Sequence, residues 1–146
     1  MTDLNIIINA FFDSYRTAFE RRNAAAIADH FAYPGLVTSD ADGITLVPIP
    51  NRQEWLGKLE QLLAMYRAID VATAQILDLQ VIEVSPRLVM AHIHWALQTA
   101  AGARLYDFTA IYTLAQIEGA FHITALAHDE MPHYRACLTR LKAQHV

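Results

Sequence analysis

Few side chains in this sequence can move a proton, and Asp129 is the first to weigh. It follows the alternating apolar residues Phe121, Ile123, Ala125 and Ala127 at the end of a β-prone run. A carboxylate partly withdrawn from water there would hold its proton more tightly and could pass it to a bound molecule. Asp129 also stands three residues before Pro132, where it could instead cap a helix by accepting that helix's free N–H groups. His30, near the end of a short helical stretch, suits the negative end of that helix and is a second proton carrier if it reaches a pocket mouth. Tyr15, Trp95, Tyr106 and Tyr112 combine an aromatic body with a polar tip, which both buries and orients a ligand. Trp55, Phe108 and Phe121 complete the expected pocket lining. The competing reading of these rings is a filled core.

A metal site has weaker support. His92-Ile-His94 would put two imidazoles on one strand face, and Asp107 or His122 could complete a two-histidine, one-carboxylate set. That spacing is common by chance, and histidines on an outer sheet face more often meet solvent or a partner, so no metal and no other cofactor is expected. His128 and His133, flanking Asp129-Glu130, form a second such group, read as a surface terminus. No glycine-rich phosphate loop and no glycine-flanked nucleophile occurs, which disfavours nucleotide chemistry and nucleophilic hydrolysis.

The elements that must position these groups follow from composition and periodicity. With 146 residues, 54% apolar and 18% charged, the chain suits one domain with one core. A single Cys137 rules out an internal disulfide and fits a reducing compartment. A net charge of −4 with mixed signs leaves no basic stripe for nucleic acid. No run is long enough to span a membrane and no export signal is evident, so the expected location is the cytoplasm.

Leu4, Ile7, Ile8, Phe11, Phe12, Tyr15 and Phe19 recur at helical steps and predict a long amphipathic helix. Asn23 can cap a short helix over 24–31, which Tyr33-Pro34-Gly35 would end. Runs 36–39 and 44–49 flank Asp40-Ala-Asp-Gly43 as a hairpin. Asn51 can cap a third helix marked by Trp55, Leu59, Leu62, Leu63, Tyr66 and Ile69. The period then becomes two, and 74–84, 88–99, 104–117 and 120–128 read as a meander of four long strands, followed by a helix opening at Pro132. Helices and strands are segregated, which predicts an α+β fold: three N-terminal helices packed into a curved antiparallel sheet of about six strands, plus a C-terminal helix over about 131–143.

Splitting each strand by side gives one apolar row: Leu77, Leu79 and Val81; Ala91, Ile93, Trp95 and Leu97; Tyr106, Phe108, Ala110 and Tyr112; and Phe121, Ile123, Ala125 and Ala127, ending at Asp129. That row is expected to be concave, under the helices. The other row is mixed and suits a homodimer contact through the convex face. A one-residue bulge would flip any row locally.

This order of elements, over residues 4–130, resembles the nuclear transport factor two-like superfamily, whose members share a cone-like fold. Local echoes are Tyr15 followed by Ile27 and Phe31, the stretch Phe31-Ala-Tyr-Pro-Gly-Leu-Val-Thr, and Glu118-Gly-Ala-Phe-His-Ile-Thr. Such phrases are similar to those of ketosteroid isomerase-like and polyketide cyclase-like members. In ketosteroid isomerases a carboxylate shuttles a proton while a helix-1 tyrosine and a neutral strand aspartic acid hold the oxyanion. The resemblance puts the tyrosine at Tyr15, the shuttle at Ser39 and the strand acid at Ala110. Two of those three parts are missing; Asp40 could replace the shuttle only with a shifted hairpin register. The expected function is binding of a small apolar or aromatic molecule in an aromatic pocket. The alternative is an acid–base enzyme of cyclase, dehydratase or isomerase type, using Asp129, His30 or Asp40 with Tyr15 as donor. A third reading is a structural dimerisation module.

Overall fold

The computed structural model describes residues 3–144. Its elements are α1 (Asp3–Glu20), α2 (Ala24–Ala28), β1 (Phe31–Asp40), β2 (Ile44–Ile49), α3 (Arg52–Ala68), β3 (Thr73–Ser85), β4 (Leu88–Gln98), β5 (Arg104–Ile117), β6 (Ala120–His128) and α4 (Glu130–Gln144). The fold is α+β, with N-terminal helices, a six-stranded sheet and a C-terminal helix. No helix among the described residues is long and apolar enough to cross a membrane.

Local chemistry explains the helix starts. The Asn23 side chain accepts the Ala26 N–H at 3.1 Å, and the Asn51 side chain accepts the Glu54 N–H at 2.9 Å, so each asparagine satisfies one of the free donors of a first turn. On α1, Ile8, Phe12, Tyr15 and Ala18 are buried, the stripe that the helical period requires. α3 buries Trp55, Leu59, Leu63 and Tyr66 in the same way. The β1–β2 turn places Asp42 at φ 65° and Gly43 at φ 140°, backbone conformations that an Asp-Gly pair adopts readily.

The strands lie in the order β2-β1-β6-β5-β4-β3. Every pairing is antiparallel except one: β1 runs parallel to β6, so the sheet is mixed rather than antiparallel throughout. The second correction concerns Pro34 and Gly35. They do not precede the strand but lie inside it, in the stretch between Phe31 and Leu36 where pairing with β6 lapses. A proline cannot donate to a ladder and is tolerated at such an irregularity. A Cβ on Gly35 would lie 3.2 Å from the Thr124 carbonyl, so the backbones approach there at a distance that only glycine allows comfortably. α2 is correspondingly shorter than expected. α4 begins at Glu130, with Pro132 inside the first turn, where its missing N–H costs nothing.

Two bulges rearrange the facing rows. In β3 the register shifts between Ile76 and Asp78, so Ala74 and Ile76, then Leu79 and Val81, pack on the core, and Leu77 does not join them. In β6, Thr113 pairs with Ala125 and Leu114 with Ile123, which leaves Thr124 as the extra residue. Phe121 and Ile123 are buried as expected, but beyond the bulge Leu126 and His128 turn inward, whereas Ala127 is exposed. The inward phase then reaches Glu130, and Asp129 is displaced to the outside.

Candidate functional site

Between α1, α3 and the concave sheet face lies a cavity of about 110 Å³. Tyr15 and Phe19 enter it from α1, Trp55, Leu59, Leu63 and Tyr66 from α3, and Trp95, Phe108 and Tyr112 from the sheet. His128, Glu130 and Met131 supply its polar end. Its rim includes Arg16, Glu20 and Arg22. Arg16 Nη1 donates to both Glu20 oxygens at 3.1 Å, Glu20 accepts the Ala74 N–H at 2.9 Å, and Arg22 donates to the Val71 carbonyl at 3.1 Å, so the rim is tied to the start of β3.

Glu130 is the centre of the site. It is 5% exposed, and its Oε2 accepts the Tyr66 hydroxyl at 2.6 Å and the Tyr106 hydroxyl at 2.7 Å. Oε1 accepts no hydrogen bond from any described residue. Burial disfavours the charged carboxylate and the two phenols favour it; burial wins, and the pKa rises from 4.5 to about 6. The phenols respond in turn: burial first, and the Glu130 charge second, push Tyr66 and Tyr106 above the ordinary tyrosine range.

His128 stands beside this acid. Its Nδ1 accepts the Glu130 backbone N–H at 3.1 Å, which puts the proton of the neutral ring on Nε2. Burial lowers its pKa, so the ring is neutral near pH 7. The sheet register sets Ser39 and Ala110 directly opposite His128 on either side. These are the two positions where the resemblance would put catalytic carboxylates, and both are small residues flanking an imidazole.

Across the cavity the Trp95 indole Nε1 donates to the Tyr112 hydroxyl at 2.9 Å. The Tyr15 ring stands 5.8 Å from that of Tyr112, at 79° to it. Burial, Tyr112 and then Glu130 raise the Tyr15 pKa. Burial likewise raises that of Tyr112, partly offset by the Trp95 donor. Both phenols therefore stay protonated and can act as donors.

Of the residues expected to line a pocket, Tyr15, Trp55, Trp95, Phe108 and Tyr112 do so. Tyr106 does not line the cavity but meets the site through Glu130 and the Phe108 ring, and Phe121 is buried in the core away from the cavity. Asp129 points outward; its Oδ1 accepts the Thr109 N–H at 3.0 Å, and Oδ2 lies 3.5 Å from His133 Nε2. It extends the β5–β6 ladder by one side-chain bond. His30 is held between helices, its Nδ1 2.7 Å from the Ala26 carbonyl and its Nε2 3.0 Å from the Ser14 hydroxyl, and does not line the cavity. Asp40 is exposed at the hairpin end, where it accepts the Gly43 N–H at 3.3 Å.

The histidines of the outer face form no metal set. His94 Nε2 lies 2.6 Å from Asp107 Oδ2, and the hydrogen bond from His94 holds the Asp107 pKa below its usual range. His92 and His122 are not in that pair, and among the described residues no group of three histidine, cysteine or acidic side chains could hold a metal ion. The residues that strand alternation missed are Glu130 and His128, and Tyr66, placed on the apolar face of the third helix, was given no role at the site. The available signal was Leu126, a large apolar residue that strict alternation would leave outside between Ala125 and Ala127.

No curated protein matches this chain in sequence. Solved structures do match in fold. Aln2 from a Streptomyces species superposes with a TM-score of 0.70 at 15% identity, over 93% of this chain and 97% of that one. An NTF2-like protein of unknown function from Shewanella oneidensis gives 0.67 at 12% identity, over 86% and 98%. A ketosteroid isomerase-like protein from Erwinia carotovora atroseptica gives 0.63 at 14% identity, over 88% and 97%. Residues 3–131 match the family described as NTF2-like protein (DUF6841). The chain belongs to that NTF2-like family.

Proposed function

We propose that this chain binds a small, neutral, largely apolar molecule in the cavity and moves a proton on it, in an isomerase- or lyase-like reaction with Glu130 as the acid–base group. One observation carries the reading: a buried carboxyl with one oxygen pinned by two phenols and the other free, beside a neutral imidazole. A pKa near 6 leaves the carboxylate the major form at pH 7 while keeping the acid accessible, the poise that proton transfer favours. As base, Glu130 would take a proton from carbon next to a carbonyl, the C–H electron pair forming a carbon–carbon double bond as the carbonyl π pair moves onto oxygen. Tyr15 and Tyr112 are the donors available to that oxygen. Returning the proton to another carbon completes an isomerisation; loss of a leaving group completes an elimination.

The cavity wall is mainly aromatic and aliphatic, which suits a small ring compound or its open-chain equivalent. Serine and alanine at positions 39 and 110 separate the chain from the activity named for its ketosteroid isomerase-like structural relative.

The test is proton exchange. Cyclohexanone incubated with the protein in D₂O should lose its α-proton NMR signal faster than in buffer alone. Binding without exchange would reduce the site to a binding pocket, and no binding would sink the reading.

We also propose that two copies pair through the outer sheet face. Its register rows run across all six strands, Leu46-Thr38-Ala127-Ile111-His92-Gln80 and Pro48-Leu36-Ala125-Thr113-Met90-Ile82, and leave Leu46, Ile111, Leu36 and Ile82 exposed. Sedimentation should give a dimer that Ile111→Asp dissociates; a monomeric parent protein would refute it.

A further inference from the structure

Taking a proton from the carbon beside a carbonyl needs a base and a hydrogen-bond donor close together, because the departing hydrogen and the oxygen that gains charge sit on adjacent carbons. Tyr66 and Tyr106 are spent on Glu130 Oε2, and Tyr15 and Tyr112 come from α1 and β5. His128 is nearer to the base in the chain: it ends β6 two residues before Glu130 and lines the same cavity.

Three observations leave its Nε2–H available. Nδ1 accepts the Glu130 backbone N–H at 3.1 Å, so the proton of the neutral ring lies on the opposite edge. The sheet register sets the side chain between Ser39 and Ala110 on the concave face, and both neighbours are small. Nε2 has no hydrogen-bond partner among the described residues, yet it is not closed off. Among the described residues that are not exposed, only the Trp55 indole nitrogen is a side-chain polar atom with neither a partner nor accessible surface. Glu130 Oε1 meets the same two conditions. An unpaired acceptor and an unpaired donor, both reachable, therefore share one end of an apolar cavity.

We infer that His128 is a further catalytic residue, its Nε2–H holding the carbonyl oxygen while Glu130 Oε1 takes the neighbouring proton. This rests on the reading of Glu130 as the acid–base group. The proton passes from carbon to Oε1, the C–H pair becomes a carbon–carbon double bond, and the carbonyl π pair collects on the oxygen held by His128. The ring gives a hydrogen bond and keeps its proton. A second proton on Nδ1 would meet the Glu130 N–H head on, and burial also keeps the ring neutral. A neutral imidazole polarises a carbonyl without competing with the base for the proton.

The experiment compares His128→Leu with His128→Gln. Both variants lose the Nδ1 acceptor, so that structural loss is common to them, and only glutamine keeps an N–H donor at the reach of Nε2. His128→Leu should slow cyclohexanone α-proton exchange about a hundredfold, the cost of removing one donor to a developing oxyanion, with KM little changed. His128→Gln should recover about tenfold of that loss. In the ¹⁵N-labelled parent protein at pH 7, the His128 Nε2 signal should shift as cyclohexanone is added, and the Nδ1 signal should stay in place. That titration decides the matter even where a variant does not fold. Equal exchange in the two variants, or bound ketone with Nε2 unmoved, overturns the role of His128; exchange by the parent then leaves the Glu130 reading standing. A parent protein that binds cyclohexanone without exchange overturns both.

Discussion

Glu130→Gln is expected to slow cyclohexanone α-proton exchange at least a hundredfold, the lower end of what a positioned acid–base group contributes. Glutamine keeps the shape, and with its amide oxygen in the Oε2 position still accepts both phenols, so the fold survives while the proton carrier is gone. The same substitution should change how stability depends on pH. The folded pKa, about 6, lies above the ordinary 4.5, so the unfolded chain gives up this proton more readily. The stabilisation from the protonated carboxyl is complete below pH 4.5 and lost as pH rises through 6. A shift of that size corresponds to about 2 kcal/mol. Urea denaturation at pH 4.5 and pH 8 should therefore show the parent protein losing about 2 kcal/mol more than Glu130→Gln over that interval. Parallel pH curves would mean that Glu130 is not buried as a titrating acid. Other titrating groups are common to both proteins and cancel in the difference.

Leu59→Ala is expected to lower stability by roughly 2–5 kcal/mol, the range for deleting a buried leucine side chain. Leu59 is fully buried and borders the cavity, so the void left behind merges with space already present. The variant should then accept a bulkier ketone, such as 4-methylcyclohexanone, relative to cyclohexanone. A combined thermal-unfolding and ligand-titration experiment reads both effects. A loss below about 1 kcal/mol with unchanged ligand preference would place Leu59 outside the cavity wall.

The helices were legible because their signals are local. Two asparagine caps and the recurrence of Ile8, Phe12 and Tyr15 are read within one or two turns. The four-stranded meander was legible for the same reason. The parallel β1–β6 pairing was not, since it joins residues about ninety positions apart and leaves no periodic trace. Pro34 and Gly35 ordinarily stop an element; here they occupy the gap in that pairing, opposite the Thr124 bulge.

The candidate site shows how one residue can mislead a reading. Strict alternation from Phe121 arrives at Asp129; with Thr124 counted as the extra residue it arrives at Glu130. Both residues are acidic, so composition could not choose between them. Their fates are opposite: Asp129 is half exposed in a side-chain bond to Thr109, whereas Glu130 is enclosed by phenols from α3 and β5. His128, read as part of a surface terminus, turns inward for the same reason.

The junction of β6 and α4 bears on synthesis as well as chemistry. Glu130 leaves the ribosome after Tyr15, Trp55, Tyr66, Trp95, Tyr106 and Tyr112, the rings that will surround it or share its cavity. The Tyr134 hydroxyl, which donates to the Met65 carbonyl at 2.9 Å, and Arg140, which reaches the Leu105 carbonyl at 2.8 Å, follow still later and clamp α4 onto the end of α3 and the start of β5. Glu130 therefore comes later in the chain than every ring of its site, and its two phenol bonds can form only once all of those rings have been made.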